Sequence, residues 1–292
     1  MQRGDPAISS PLPASPASPF PPRPSASMTA APAPSPLRAL LHPTRTSSIP
    51  AHLAPSCFRI VLLAAALGAL AGVALPHALA LFAPSTLARA VLVLPRGASA
   101  ATMWPPQLAM YLAAWAIFHL LEFEITAGWN GTRLMEDSFL LQNGIGYHLA
   151  HLFGLFEFAV SAYFYPSLAH VGWWSYLGLA VMLFGQAMRS LAMVHASSNF
   201  SHEVAHAKRN DHQLVTSGVY AYVRHPSYVG FFYWALGTQL LLGNPLAASI
   251  FVVVLWRFFA HRIVGEEASL RKFFPDYDAY RERVGSGLPF IR

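Results

Sequence analysis

The sequence predicts an all-α, polytopic integral membrane protein with about six transmembrane helices (six to eight). Three observations predict it. Hydrophobic residues make up 54% of the 292 positions and charged residues 11%, whereas an ordinary soluble domain carries about 25% charged residues. Mean hydropathy is +0.40. Apolar runs recur at close to the roughly 20 residues that cross about 30 Å of hydrocarbon. The net charge of +6 comes from dispersed basic residues with no soluble domain around them, which points to a membrane surface rather than nucleic acid. The lone cysteine, Cys57, excludes an internal disulfide framework.

In chain order, residues 1–56 are crowded with Pro, Ala and Ser and show no apolar periodicity. Such a tail cannot bury enough surface to offset its ordering entropy and reads as disordered. Its scattered arginines also fit a transit peptide, against which the prolines argue. Residues 57–292 form the membrane domain. Residues 58–82 make the first span, with Pro76 and His77 either kinking it or splitting it into a hairpin with 87–94. Residues 104–123 are the second span, 128–138 a polar loop, 139–165 the third span and 173–194 the fourth. Residues 228–242 and 246–260 form a close hairpin broken at Gly243-Asn-Pro245. Both are short for full spans, so tilt or a re-entrant hairpin stays open.

With six spans, both termini share a side with the loops 127–138 and 195–227. Only Arg89 and Arg96 of the 19 Lys and Arg then lie in opposite loops. The positive-inside rule places the C-terminal region in the cytosol. The acceptor patterns at Asn130 and Asn199 are then expected to stay unglycosylated.

Residues 212–230, HQLVTSGVYAYVRHPSYVG, are neither a greasy span nor a plain connector. Gly218 offers a position for positive φ. Tyr220, Tyr222 and Tyr228 surround Arg224 and His225. Pro226 biases His225 towards extended backbone and opens the next segment with a fixed φ. A cationic, aromatic turn at the mouth of membrane helices suits ligand binding.

His212-x-Leu-Val-Thr-x-Gly-x-Tyr220 and Arg224-His-Pro-Ser-Tyr228-x-Gly230 resemble the isoprenylcysteine carboxyl methyltransferase family. The match continues through Gly243-Asn-Pro245, Trp256-Arg-Phe-Phe259, Arg262 with Glu266-Glu267, and Gly287-Leu-Pro-Phe-Ile291. It is dense from about Asn199 onward and thins upstream to Asp137-Ser-Phe-Leu-Leu141. The resemblance implies S-adenosyl-L-methionine-dependent methylation of the C-terminal S-prenylcysteine carboxylate of processed CaaX proteins, farnesylated or geranylgeranylated. It also implies residence in the endoplasmic reticulum membrane, with residues 197–292 forming the cofactor- and substrate-binding core.

That chemistry asks little of acid–base catalysis, because the carboxylate nucleophile is already ionised. It requires alignment, exclusion of water and a cation to hold the carboxylate. Arg262 is the candidate, since a guanidinium grips a carboxylate bidentately and stays charged. Arg262 and Glu266 are four apart and share a helix face, which an ordinary surface ion pair would also explain. By resemblance, Arg262 meets the prenylated substrate and Glu266 the methyl donor. The resemblance assigns His212, Gln213, Leu214, Val215, Tyr220, His225, Pro226, Ser227 and Tyr228 to the cofactor pocket. Glu267 and Arg271 read as a further surface pair. Where the family often carries a longer polar side chain, this chain has Ala205, with His206 beside it.

Competing readings are a phospholipid or small-lipid methyltransferase and a non-enzymatic lipid-binding protein. His202-Glu-Val-Ala-His206 adds a third, because His-Glu-x-x-His on a helix is a zinc-protease motif. The methyltransferase reading expects no metal. Within the spans, Glu122, Glu124, Glu157 and Arg189 should face the interior or a boundary, with Glu157 and Arg189 as a candidate pair. Gly178, Ala180 and Gly185 are candidates for close helix packing.

Overall fold

The computed structural model describes residues 51–79, 82, 104–166, 170–205 and 207–291, all within the unit Ser35–Arg292. Residues 1–50 and the candidate hairpin partner 87–94 lie outside the described residues. The described residues contain no strand. Their α-helices are α1 (Cys57–Ala78), α2 (Pro106–Trp129), α3 (Ile145–Phe164), α4 (Trp173–Ala196), α5 (Pro226–Leu242), α6 (Pro245–Phe273) and α7 (Tyr277–Arg283). Among the described residues, α1, α2, α4 with its continuation to Asn199, and α6 are long and apolar enough to cross a membrane.

Several boundaries differ from the sequence expectation. A 3₁₀ turn, Ala51–Ser56, precedes α1. Pro76 sits inside α1 without ending it. Helix α2 runs past its expected end at residue 123 to Trp129. The third span starts at Ile145, since Leu140 and Gly144 take positive φ and turn the chain before it. Helix α6 is the largest correction. Its 29 residues form one helix, about 43 Å long at 1.5 Å per residue, so it is not a short span.

Helices α4 and α5 pack backbone against backbone. A Cβ on Gly178 or Gly185 would overlap the α5 backbone at Leu241 or Trp234, and one on Gly230 or Gly237 would overlap α4 at Arg189 or Met182. Gly178 and Gly185 therefore do what was expected. Ala180 does not, being exposed. Small residues permit the close approach that stabilises helix pairs in lipid.

The expected Glu157–Arg189 pair does not form. Arg189 grips Glu122 of α2 through Nε at 2.7 Å and Nη2 at 2.9 Å. Glu157 of α3 instead accepts the backbone amides of Leu246 and Ala247 at 2.9 and 2.7 Å. It thereby satisfies the open N-terminus of α6, where unpaired amides and the helix dipole favour a carboxylate. Glu124 is exposed.

The α5–α6 turn is closed by Gly243 in the left-handed region (φ 73°), and Pro245 occupies the first turn of α6. Asn244 is buried there and donates to Gly154 O at 2.7 Å and Gln239 Oε1 at 3.0 Å. This places α3, α5 and the start of α6 on one polar knot.

Candidate active site

The 212–230 stretch leaves the bundle, turns through the 3₁₀ segment Gly218–Ala221 and re-enters as α5. Gly218 takes φ +62°, and a Cβ there would strike the His195 ring. Pro226 begins α5. His225 before it has φ −121° and ψ 57°, outside the α-helical region but short of the extended conformation expected.

All ten residues assigned to the cofactor pocket line one cavity of about 700 Å³: His212, Gln213, Leu214, Val215, Tyr220, His225, Pro226, Ser227, Tyr228 and Glu266. Asn199, Phe200, Ser201, Leu270, Phe274, Tyr277 and Tyr280 complete the wall. Sequence reasoning missed these, although the aromatic pair Tyr277 and Tyr280 at i, i+3 in the closing segment was a visible signal.

Burial pushes the Tyr220 hydroxyl up, so it stays a neutral donor, bonded to Ala192 O at 3.3 Å. Burial, then Arg209 and Arg133, lower the His212 imidazole. Four buried atoms on residues of the cavity wall, His212 Nδ1, Arg224 Nη2, Glu266 Oε2 and Tyr277 Oη, make no hydrogen bond within the protein. The ion-pair partner of that Glu266 oxygen is His225 Nδ1 at 3.5 Å. A carboxylate, a neutral imidazole and aromatic faces fit a cationic ligand with amine and hydroxyl groups, as S-adenosylmethionine is.

The expected Glu267–Arg271 surface pair is corrected. Glu267 is buried and gathers three cations. Its Oε1 meets Arg224 Nη2 at 2.9 Å and His225 Nε2 at 3.2 Å, and its Oε2 meets Arg281 Nε at 2.8 Å. Arg271 pairs with Asp278 instead. Arg224 also donates to the carbonyls of Arg281 and Val284, and its amide bonds Gly285 O at 2.9 Å. Glu267 thus ties the pocket loop to the closing segment of the chain.

Arg262 and Glu266 do not form the simple i, i+4 pair. Arg262 Nε donates to Tyr228 Oη at 2.9 Å and its Nη2 to the carbonyl of His202. The Tyr228 ring stacks between His225 and Phe259, with centroids at 5.5 and 5.0 Å. Arg262 lines a second, largely apolar cavity of about 1410 Å³ between α3, α5 and α6. Ser201, Ser227 and Tyr228 line both cavities. The two meet at Tyr228, with Arg262 on the apolar side and Glu266 on the polar side.

Residues 202–205 are not helical, so the His-Glu-x-x-His pattern lacks the helix that would bring its side chains together. His206 lies outside the described residues. The His202 ring sits 3.7 Å from Glu122, and burial lowers its pKa to about 4.

Residues 177–272 match the isoprenylcysteine carboxyl methyltransferase family. The chain is 49% identical over 195 residues to the protein-S-isoprenylcysteine O-methyltransferase of Schizosaccharomyces pombe, covering 62% of this chain and 83% of that protein. The chain belongs to this family.

The Xenopus laevis and Homo sapiens isoprenylcysteine O-methyltransferases are 46% and 45% identical, over 65% and 62% of this chain. The matched region spans 66% and 64% of those two proteins. A solved structure of a eukaryotic intramembrane Ras methyltransferase, an isoprenylcysteine carboxyl methyltransferase, superposes with a TM-score of 0.64 at 40% identity, covering 70% of this chain and 75% of that one. As a member of this membrane methyltransferase family, the chain is an all-α integral membrane protein.

Proposed function

We propose that this chain transfers the methyl group of S-adenosylmethionine to the C-terminal carboxylate of an S-prenylcysteine on a processed CaaX protein. The observation that carries the reading is the junction at Tyr228. There a polar cavity walled by Glu266 meets an apolar cavity that presents Arg262 at its mouth, its other arginine, Arg189, being paired with Glu122.

When bound, S-adenosylmethionine supplies an electrophilic methyl whose sulfonium leaves as a neutral thioether, so no proton has to move. Glu266, His212 and Tyr220 hold the cofactor's polar ends, and the aromatic walls exclude water. Arg262 holds the substrate carboxylate, and Tyr228 fixes the guanidinium from the cofactor side. A carboxylate taken out of water beside that cation keeps its charge while losing the hydration shell that would blunt its attack.

The prenyl chain stays in apolar surroundings throughout, which is the physical reason to embed such an enzyme. Ile250, Val254 and Phe258 line the apolar cavity and are exposed on one face of α6, a route in from the bilayer. The reading includes six crossings, with α3 and α5 spanning beside α1, α2, α4 and α6. It places the enzyme in the endoplasmic reticulum membrane with the pocket and both termini cytosolic, supported by the Lys and Arg distribution.

Labelled S-adenosylmethionine incubated with the chain in proteoliposomes tests the reading. Base-labile methyl ester should form on N-acetyl-S-farnesylcysteine and no label should enter phosphatidylethanolamine. Label in the phospholipid alone overturns the proposal in favour of a lipid methyltransferase.

A further inference from the structure

Beyond α7 the chain turns back along α6. The amides of Arg224 and His225 donate to Gly285 O at 2.9 Å and Ser286 O at 3.3 Å. Gly287 takes φ 92°, where a Cβ would strike Val223 and Val229. Leu288 is buried in one cluster with Val229, Phe232, Phe259 and Ile263. Trp256 Nε1 then donates to Pro289 O at 2.8 Å. Trp256 lies six residues before Arg262 on α6, about 9 Å towards the helix start. The tip at 288–291 therefore sits beside the apolar run of α6, and not with the polar residues that follow it.

Two features fit this tip to lipid. The first is its backbone. Irregular backbone at membrane depth needs a partner for each polar group, because hydrocarbon offers none. Leu288 O accepts the Ile291 amide at 3.3 Å, Pro289 O accepts the Trp256 indole, and Ile291 O accepts the Ser286 hydroxyl. Pro289 has no amide to satisfy.

The second feature is Phe290. It is 95% exposed and holds φ 63°, a region that bulky side chains avoid. Its neighbour Pro289 is fixed on Trp256, and one turn before Trp256 on the same face Val252 and Val253 are also exposed. Arg257 is exposed at this level too, and its long stem reaches headgroups from just inside the hydrocarbon.

We propose that residues 286–291 form a hook that seats Phe290 in the hydrocarbon of the leaflet on the pocket side, and that this seat braces the wall of the polar cavity. The brace runs through the two amide bonds at Arg224 and His225. It also runs through α7, whose Tyr277 and Tyr280 line the cavity and whose Tyr280 Oη donates to Tyr220 O at 2.6 Å. The insertion is independent of the reaction catalysed, whereas the brace rests on the cofactor reading above.

The single cysteine, Cys57, allows a site-directed test. In a Cys57→Ser background, spin labels on Phe290→Cys, on Val253→Cys as a lipid reference and on Glu282→Cys as a water reference are compared in proteoliposomes of the full chain. Collision with oxygen, which concentrates in hydrocarbon, is read against collision with a nickel chelate, which stays in water. The oxygen-to-nickel ratio at 290 should resemble that at 253. A ratio like that at 282 overturns the proposal, and shielding from both reagents overturns it in favour of a second copy covering the tip. Phe290→Asp should weaken calorimetric binding of S-adenosylhomocysteine in proteoliposomes about tenfold, a usual scale for coupled sites, while Phe290→Leu keeps the parent affinity. If Phe290→Asp binds as the parent does, the brace is wrong and the methyltransferase reading stands. If the parent binds no S-adenosylhomocysteine, the cofactor reading and the brace fall together, and the spin label still decides the insertion.

Discussion

Glu267 does more for the site's electrostatics than its place beside Glu266 suggested. Removing it leaves Arg224, buried and otherwise bonded to backbone carbonyls, without its counter-charge. Breaking one side of a buried pair costs about 3–5 kcal/mol. Glu267→Ala should therefore lower the melting temperature in detergent and weaken cofactor binding together, whereas Arg271→Ala, which loses only the exposed Asp278 contact, should do neither. Equal melting temperatures for the Glu267 variant and the parent would show that the three-cation hub is incidental. His225 adds a pH signature. Burial alone would lower its pKa, but the carboxylates of Glu266 and Glu267 beside it outweigh burial and hold the imidazole above the ordinary 6.5. A raised folded-state value means that the stabilisation is fully present below about pH 6.5 and is lost as pH rises through the folded value. Thermal stability should fall over that rise, and His225→Gln should flatten the dependence; an unchanged slope in the variant would assign it elsewhere. The pocket residues were legible because they cluster in one short polar stretch between apolar runs. The Glu267 hub was not, since Arg224 and Arg281 reach it from 43 and 14 residues away and nothing in local spacing favours them over Arg271.

At the scale of elements, the helices were legible as apolar runs, and their ends were not. The apolar run of helix α6 ends near residue 260, where Arg257, His261, Arg262, Glu266 and Glu267 interrupt its hydropathy, while the helix itself continues to Phe273. Those polar residues are tolerated in the helix because Arg262 and Glu267 turn to the cavities and the closing segment. The pairings between helices were least legible, as they depend on which helices are neighbours: Arg189 chose Glu122 rather than Glu157. Two changes test the element-level account. Glu157→Ala leaves the first amides of α6 without their acceptors and should cost about 0.5–2 kcal/mol, as loss of a helix N-cap does, read in detergent unfolding; Glu157→Gln should recover part of it. Gly185→Leu forces α4 off α5, where no side chain can shift to make room, and should abolish cofactor binding and insertion-competent folding. A Gly185→Leu protein that binds cofactor normally would mean that α4 and α5 do not pack as described.

For the whole molecule, the proposed mechanism divides labour between a polar cavity for the methyl donor and an apolar cavity for the lipid, meeting at Tyr228. By composition, residues 1–50 are expected to contribute to neither, so a chain beginning at Ala51, which keeps the buried Leu53, should insert and methylate at the parent rate. A fall in specific activity of inserted protein would assign that segment a part in the reaction. The division itself is tested most directly by Arg262→Ala and Glu266→Ala side by side, with cofactor affinity measured by calorimetry and two-substrate kinetics on N-acetyl-S-farnesylcysteine. Arg262→Ala should leave cofactor affinity near the parent value and lower kcat/KM for the prenyl substrate about 30- to 150-fold, corresponding to about 2–3 kcal/mol for a charge-assisted contact, with Arg262→Lys recovering only part. Glu266→Ala should weaken cofactor binding with a smaller effect on the prenyl substrate. If the two variants instead lose cofactor affinity equally and melt at equally lowered temperatures, the residues form a structural pair and the two-cavity assignment is contradicted.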